Sequence, residues 1–146
     1  RPLYGWENEE GTINNEGPYP LITDTHVYIA FSGGAATSYT YAVGFLVIEK
    51  GKDLLDVSNW YKTPAPVLSF YSVEGEYGPG HNAFYTDDHG DVWITYHAEP
   101  TMRGSKRCSA IRRVHFDIDG EPRLDMSHER DLNSDLVSVT MKVIVK

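Results

Sequence analysis

The sequence predicts an all-β fold, and three observations predict it. Apolar and polar residues alternate with a period of two through most of the 146 residues. Turn-forming residues recur about every ten positions, as they do in proteins of many short strands. Only Asp53 to Trp60 could hold a helical turn, and Pro64 and Pro66 stop it.

In chain order, Val27, Ile29 and Phe31 alternate with His26, Tyr28 and Ala30, the pattern of a strand with two unlike faces. Tyr41 to Ile48 is apolar on both faces, which fits a strand covered on both sides. The stretch Ala83 to Thr86 reads as a strand that His81 precedes. Val92, Ile94 and Tyr96 alternate with Trp93, Thr95 and His97. Val114, Phe116 and Ile118 alternate with His115 and Asp117. Val137, Val139, Met141, Val143 and Val145 form the most regular run, either a strand closing the fold or the start of a further element. Ser127 to Asp135 is the most polar stretch and reads as a surface loop. Turns fall at Gly33-Gly34, Gly51, Gly78-Pro79-Gly80, His89-Gly90-Asp91 and Asp119-Gly120-Glu121-Pro122. One internal echo stands out. His26 to Phe31 and Asp91 to Tyr96 share the order polar, Val, aromatic, Ile, small, aromatic, and each follows a short strand opened by Gly-Pro. A sandwich, a barrel or propeller blades would all fit.

Composition narrows the function classes. The formal net charge is −8, which opposes nonspecific binding to the phosphates of a nucleic acid. No run of 18 apolar residues is present, so no helical membrane span is expected. The single cysteine, Cys108, cannot form an internal disulfide and reads as structural or incidental. Arg1 to Glu10 has no apolar core of a signal peptide, and the first residue is not Met. The chain is therefore expected to begin after processing or to be cut from something longer. Secretion or a periplasmic location is expected if a signal lies upstream.

Four groups of residues could carry chemistry. Glu16, in Asn14-Asn15-Glu16-Gly17-Pro18, is either a solvated turn residue or a general acid at the entrance of a strand. His81, after Gly78-Pro79-Gly80, is either a hydrogen-bonded structural histidine or one that projects into a cavity. There it would hold water, a hydroxyl or a metal ion. No HxxxH or CxxC spacing is present, so any metal would be held mostly by oxygen ligands. Arg103, Lys106, Arg107, Arg112 and Arg113 form a basic cluster in an acidic chain. Surface pairing explains most of it, while one arginine turned inward could position a carboxylate or a sugar hydroxyl. The aromatic residues, Tyr28, Tyr39, Tyr41, Trp93 and Tyr96 among them, would mostly pack the core, and some could stack on sugar rings. GxSxG, P-loop and GxGxxG motifs are absent.

These residues resemble a known family. Glu16-Gly17-Pro18, then His26 to Ser32 and Tyr41 to Gly44, look like the third blade of glycoside hydrolase family 43. Leu54 to Lys62 with Pro64 to Val67 is similar to the connection that follows. Tyr77-Gly-Pro-Gly-His-Asn82 followed by Trp93-Ile-Thr-Tyr-His-Ala98 resembles the family's most diagnostic later segment. Arg112 to Phe116 with Asp119 to Pro122 fits its closing blade. The match runs from about Asn14 to Met126. The resemblance implies a five-bladed β-propeller that hydrolyses arabinosides or xylosides with inversion, and residues 1–146 as its C-terminal part without the N-terminal blades. It implies that Glu16 is the acid, that His81 lies at the centre near a calcium or sodium ion, and that Arg107 or Arg112 contacts substrate. The family's aspartate base, and a second aspartate that tunes the acid, match nothing in this chain. The implied partners are a carbohydrate substrate and the N-terminal half of the propeller or a second copy, with no nucleic acid or membrane. Alone, the chain would be catalytically inactive. The alternative is a non-catalytic carbohydrate-binding or structural propeller fragment.

Overall fold

The computed structural model describes residues 1–103, 106–125 and 142–145. The strand expected over Val137 to Val145 lies largely outside these residues, and 142–145 form no strand. The loop expected over Ser127 to Asp135 lies outside them altogether.

The first sheet is an antiparallel meander of β1 (Asn15–Ile22), β2 (His26–Gly33), β3 (Ala42–Glu49) and β4 (Tyr61–Lys62), ordered β1-β2-β3-β4. The second contains β5 (Tyr77–Thr86), β6 (Val92–Glu99) and β7 (Cys108–Arg113) in sequence order. A two-stranded hairpin, β8 (His115–Phe116) and β9 (Pro122–Arg123), follows. Each strand pairs with its neighbour in sequence, which is how a propeller blade is built. The echo seen in the sequence falls on β2 and β6, the second strands of their sheets. The helical turn lies at Val57–Asn59, where Asp56 caps the first turn by accepting from Ser58 N at 2.9 Å.

Four expectations change. A 3-10 helix forms at Gly5–Gly11, where the sequence predicts no helical turn, held by Glu7 accepting from Leu3 N and Tyr4 N. Gly78-Pro79-Gly80 is not a turn ahead of a strand but part of β5, which begins at Tyr77 and is bulged on both sides of Gly80. The segment Val114 to Ile118 holds only a two-residue strand, because Asp117 closes a turn with Gly120 and Glu121 and leaves Ile118 fully exposed. Arg112 and Arg113 of the basic cluster end a strand the sequence does not predict, β7. Its partner β6 supplies the alternation that its own arginines obscure.

The core lies between the two sheets. Tyr28, Ala30, Val43 and Phe45 from the first face Phe84, Ile94, Tyr96 and Ala98 from the second, and Leu68, Val114 and Leu124 close the ends. Register explains the choice of residues. On β2 the even-numbered Tyr28, Ala30 and Ser32 are fully buried, while Val27 and Ile29 on the other face are only half-buried. A buried ion pair ties the N-terminal 3-10 helix, Gly5–Gly11, to this sheet. Glu7 has no exposed surface and pairs with Lys62. It also accepts from Leu3 N, Tyr4 N and Asn15 Nδ2 at 2.5, 2.7 and 2.8 Å. These partners hold its carboxyl below the usual glutamate range although burial opposes ionisation.

The sheets approach most closely at Gly80. A Cβ built there would lie 2.2 Å from Tyr41 Cε1 and 2.6 Å from Tyr41 Cδ1. Tyr41 is completely buried, so its ring has nowhere to move. Gly80→Ala is expected to destabilise the fold by about 1–3 kcal/mol through overpacking. Gly5→Ala, with nothing within 4 Å of the added methyl, should stay within about 0.5 kcal/mol of the parent. Equilibrium urea denaturation of the two variants checks the contrast.

Candidate active site

Both residues singled out by sequence lie on bulged first strands. In β1 the register shifts between Glu16 and Tyr19, and Gly17 adopts φ +59°. In β5 it shifts on either side of Gly80, and His81 has φ +51°. His81 is the one non-glycine residue at positive φ among the described residues, a conformation that costs energy and clusters at functional sites. The bulges turn the ends of β1 and β5 toward each other. A Cβ on Gly17 would sit 3.3 Å from His81 Cγ. Glu16 and His81 are thus brought to adjoining positions on two different sheets.

The Glu16 carboxyl accepts a 2.7 Å hydrogen bond at Oε1 from the Tyr41 hydroxyl. Tyr41 precedes β3 and lays its ring across the Gly80–His97 pair of β5 and β6. It stacks on His97 with ring centres 5.6 Å apart and planes 4° from parallel. Burial, reinforced by the bond to Glu16, raises its phenol well above the ordinary tyrosine value, so it keeps its proton. Opposite Glu16 in the register stands Ser32, fully buried, whose Oγ accepts from His81 N at 2.8 Å.

His97 was not singled out as a site residue, yet it completes this cluster. Its Nδ1 is buried with no hydrogen-bond partner among the described residues. Burial, then the charges of Arg107 and His81, push the imidazole down to about 4 against the opposing pull of Glu16. Tyr41 was one aromatic among many, and its tie to Glu16 leaves no mark in the sequence. The same holds for Ser32. His97 had a faint signal, since it stands in the Tyr-His-Ala segment of the resemblance.

The two candidate arginines go to different places. Arg107 donates to Ala36 O at 2.7 Å, and its charge acts on both His97 and Tyr41. Arg112 faces the core side of its sheet. It donates to Glu76 Oε1 at 2.5 Å and to Tyr96 Oη at 3.0 Å, and the Tyr96 hydroxyl bonds Glu76 Oε2 at 2.5 Å. That triad fills the arginine's fork and does not bring it to Glu16 or His81. Arg113 pairs with Asp91 at 3.5 Å.

Two open clefts flank the cluster. One of about 550 Å³ is lined by His81, Thr95, His97, Ser109 and Ile111. The other, about 230 Å³, is lined by Asn15, Glu16, Ile29, Phe31, Leu46 and Lys62. Asp87, at the β5–β6 turn, is taken up by the backbone of His89 and Asp91 and by Trp93 Nε1 at 2.8 Å. For the calcium or sodium ion implied near His81, the donor set is thin. Among the described residues no group of three or more His, Cys, Asp or Glu side chains converges. His81 offers one ring nitrogen, so these residues do not make a complete cation site.

The profile of the family described as Glycosyl hydrolases family 43 matches residues 2–122. The chain belongs to this family. It is 39% identical over 99 residues to an extracellular exo-alpha-(1->5)-L-arabinofuranosidase of Streptomyces chartreusis, an alignment covering 66% of this chain and 29% of the relative. It is 29% identical over 130 residues to alpha-L-arabinofuranosidase B of Pyricularia oryzae, covering 84% of this chain and 26% of that one. Among solved structures, the alpha-L-arabinofuranosidase from Lactobacillus brevis superimposes with a TM-score of 0.75 at 27% identity, over 86% of this chain and 40% of its own. The chain thus spans little more than a quarter of the length of these curated relatives. Its two meander sheets are a portion of the family 43 five-bladed β-propeller.

The half-buried ring of His97, with its Nδ1 unpartnered among the described residues, gives a measurable signature. Its carbon-bound ring protons should show no titration between pH 8 and pH 5 by NMR, with protonation setting in only near pH 4. The unfolded chain takes up that proton near pH 6.5. Stability from this group is therefore complete above pH 6.5 and falls as pH drops toward 4. His97→Phe, which keeps a ring against Tyr41, should flatten the pH dependence of denaturation in that window.

Proposed function

We propose that this chain supplies the general acid and part of the sugar pocket of an inverting arabinoside hydrolase. Glu16 is the acid, and His81 and Arg107 face the substrate. One observation carries the reading. The Glu16 carboxyl is held at Oε1 by a buried tyrosine, while no described residue bonds Oε2. The names of the curated relatives support an arabinofuranoside as the sugar. The relative from Streptomyces chartreusis is named extracellular, which supports secretion.

In this reading Glu16 Oε2–H donates its proton to the glycosidic oxygen as the bond from that oxygen to the anomeric carbon breaks. A water attacks the anomeric carbon from the opposite face and yields its proton to a carboxylate base. Inversion needs the two carboxyl groups roughly 6.5–9.5 Å apart, to leave room for that water. Glu7 lies next in line through Asn15 and cannot act as the base. It has no exposed surface, and both its oxygens are already occupied. We take the base to come from outside the described residues, and this chain alone to be inactive. Arg112, held by Glu76, keeps the second sheet in shape rather than touching sugar.

The reading also names a partner. The Ile29, Phe31 and Leu46 face of the first sheet and the Thr95 and Ile111 face of the second both open onto clefts, and Ile111 is 55% exposed. Blade faces of this kind are covered in a closed propeller. We take the cover to be the remaining blades, with which this chain forms the assembled enzyme, or a second copy in their absence.

Two outcomes are expected. In the assembled enzyme, Glu16→Gln should lower kcat by roughly 10²–10⁴-fold on arabino-oligosaccharides, whose leaving groups need a proton, and far less on dinitrophenyl arabinofuranoside. Equal losses on the two substrates would remove the acid role. For the chain by itself, light scattering at micromolar concentration should give a mass above 16.5 kDa. A clean monomer would remove the association.

A further inference from the structure

Tyr41 is too constrained for a residue that only packs. It has no exposed surface, its ring is trapped between Gly80 and His97, and its hydroxyl points at the carboxyl proposed as the acid. The direction of this hydrogen bond follows from the groups available. A carboxylate oxygen can only accept, so the Tyr41 hydroxyl donates to Glu16 Oε1, at 2.7 Å. Tyr41 is fully buried, so water does not reach it to compete for that hydrogen. When Glu16 takes up a proton, the oxygen that accepts from Tyr41 is best left as the carbonyl oxygen, and the proton goes to Oε2, which no described residue bonds.

We propose that Tyr41 is a positioning residue that assigns the proton of Glu16 to Oε2 and aims it at the leaving-group oxygen. The proposal rests on the reading of Glu16 as the acid. The tyrosine does not touch substrate and acts only through Glu16.

The test uses the assembled enzyme and two substrates, an arabino-oligosaccharide and dinitrophenyl arabinofuranoside. Tyr41→Phe should lower kcat on the oligosaccharide by about 10–100-fold, a part of what a general acid supplies, and leave KM within about twofold. Its kcat on the dinitrophenyl substrate should change by no more than about threefold, because that leaving group needs no proton. Combined with Glu16→Gln, Tyr41→Phe should add no further loss, since residues that act as a unit are non-additive. Gly80→Ala, whose methyl would displace the Tyr41 ring, should give a smaller loss of the same selectivity, and it serves as the test if Tyr41→Phe does not fold by near-ultraviolet circular dichroism. Equal losses on both substrates, or a loss that multiplies with that of Glu16→Gln, would overturn the positioning role. If Glu16→Gln is selective and Tyr41→Phe is not, the tyrosine proposal fails alone. If Glu16→Gln is itself unselective, the acid reading fails, and the tyrosine proposal fails with it.

Discussion

The structure turns on the close approach of Tyr41 to the backbone of Gly80. A tyrosine ring lies where a side chain on the neighbouring strand would otherwise stand, and only glycine leaves that space. The contact sets the separation of the two sheets at their inner ends, where β1 and β5 meet. It also links elements that are distant in sequence, since Tyr41 bonds Glu16 of β1 while its ring covers the Gly80–His97 pair of β5 and β6. A loosening of this contact would move the carboxyl, the histidine and the sheet interface together. The bulges serve the same end. An unbulged strand would alternate its side chains across the sheet and could not turn Glu16 and His81 toward a shared edge.

Charge in this acidic chain divides into two kinds of work. Glu7 with Lys62, and Glu76 with Arg112 and Tyr96, are part-buried or fully buried groups whose hydrogen-bonding capacity is largely filled within the fold. They hold elements in place, and removing one partner would leave an uncompensated charge in a poorly solvated setting. Asp87 and Asp117 do the same for turns at the surface, each accepting from backbone amides. Around Glu16 the arrangement differs. Its neighbour His97 feels the charges of Arg107, His81 and Glu16, and its Nδ1 has no hydrogen-bond partner among the described residues. Groups left unsatisfied in this way are the ones available to a ligand.

The carboxylate of Glu7 falls on the structural side of this division. Glu7 is near enough in sequence to invite a catalytic role, but the fold has spent it on the N-terminal 3-10 helix. The two outward faces of the sheets carry half-buried apolar side chains over open clefts, the expected state of blades seen without their neighbours.

Sequence alone determined the all-β fold class, and it singled out Glu16 and His81, which the fold brings to adjoining positions on two sheets. Period-two alternation and Gly-Pro punctuation are local properties, and the first strands carry both. It missed strand β7, because Arg112 and Arg113 mask the alternation, and it extended β8 through Ile118, because a turn closed by Asp117 has the same spacing of apolar residues as a strand. It also left Arg107 and Arg112 undistinguished, and only tertiary structure separates them, binding Arg112 to Glu76 and Tyr96 and Arg107 to Ala36 O. The contacts of Tyr41, Ser32 and His97 were likewise decided by tertiary structure. Each depends on pairing between strands or sheets far apart in the chain, and no local pattern encodes which buried tyrosine will find a glycine across the interface and a carboxylate at its hydroxyl.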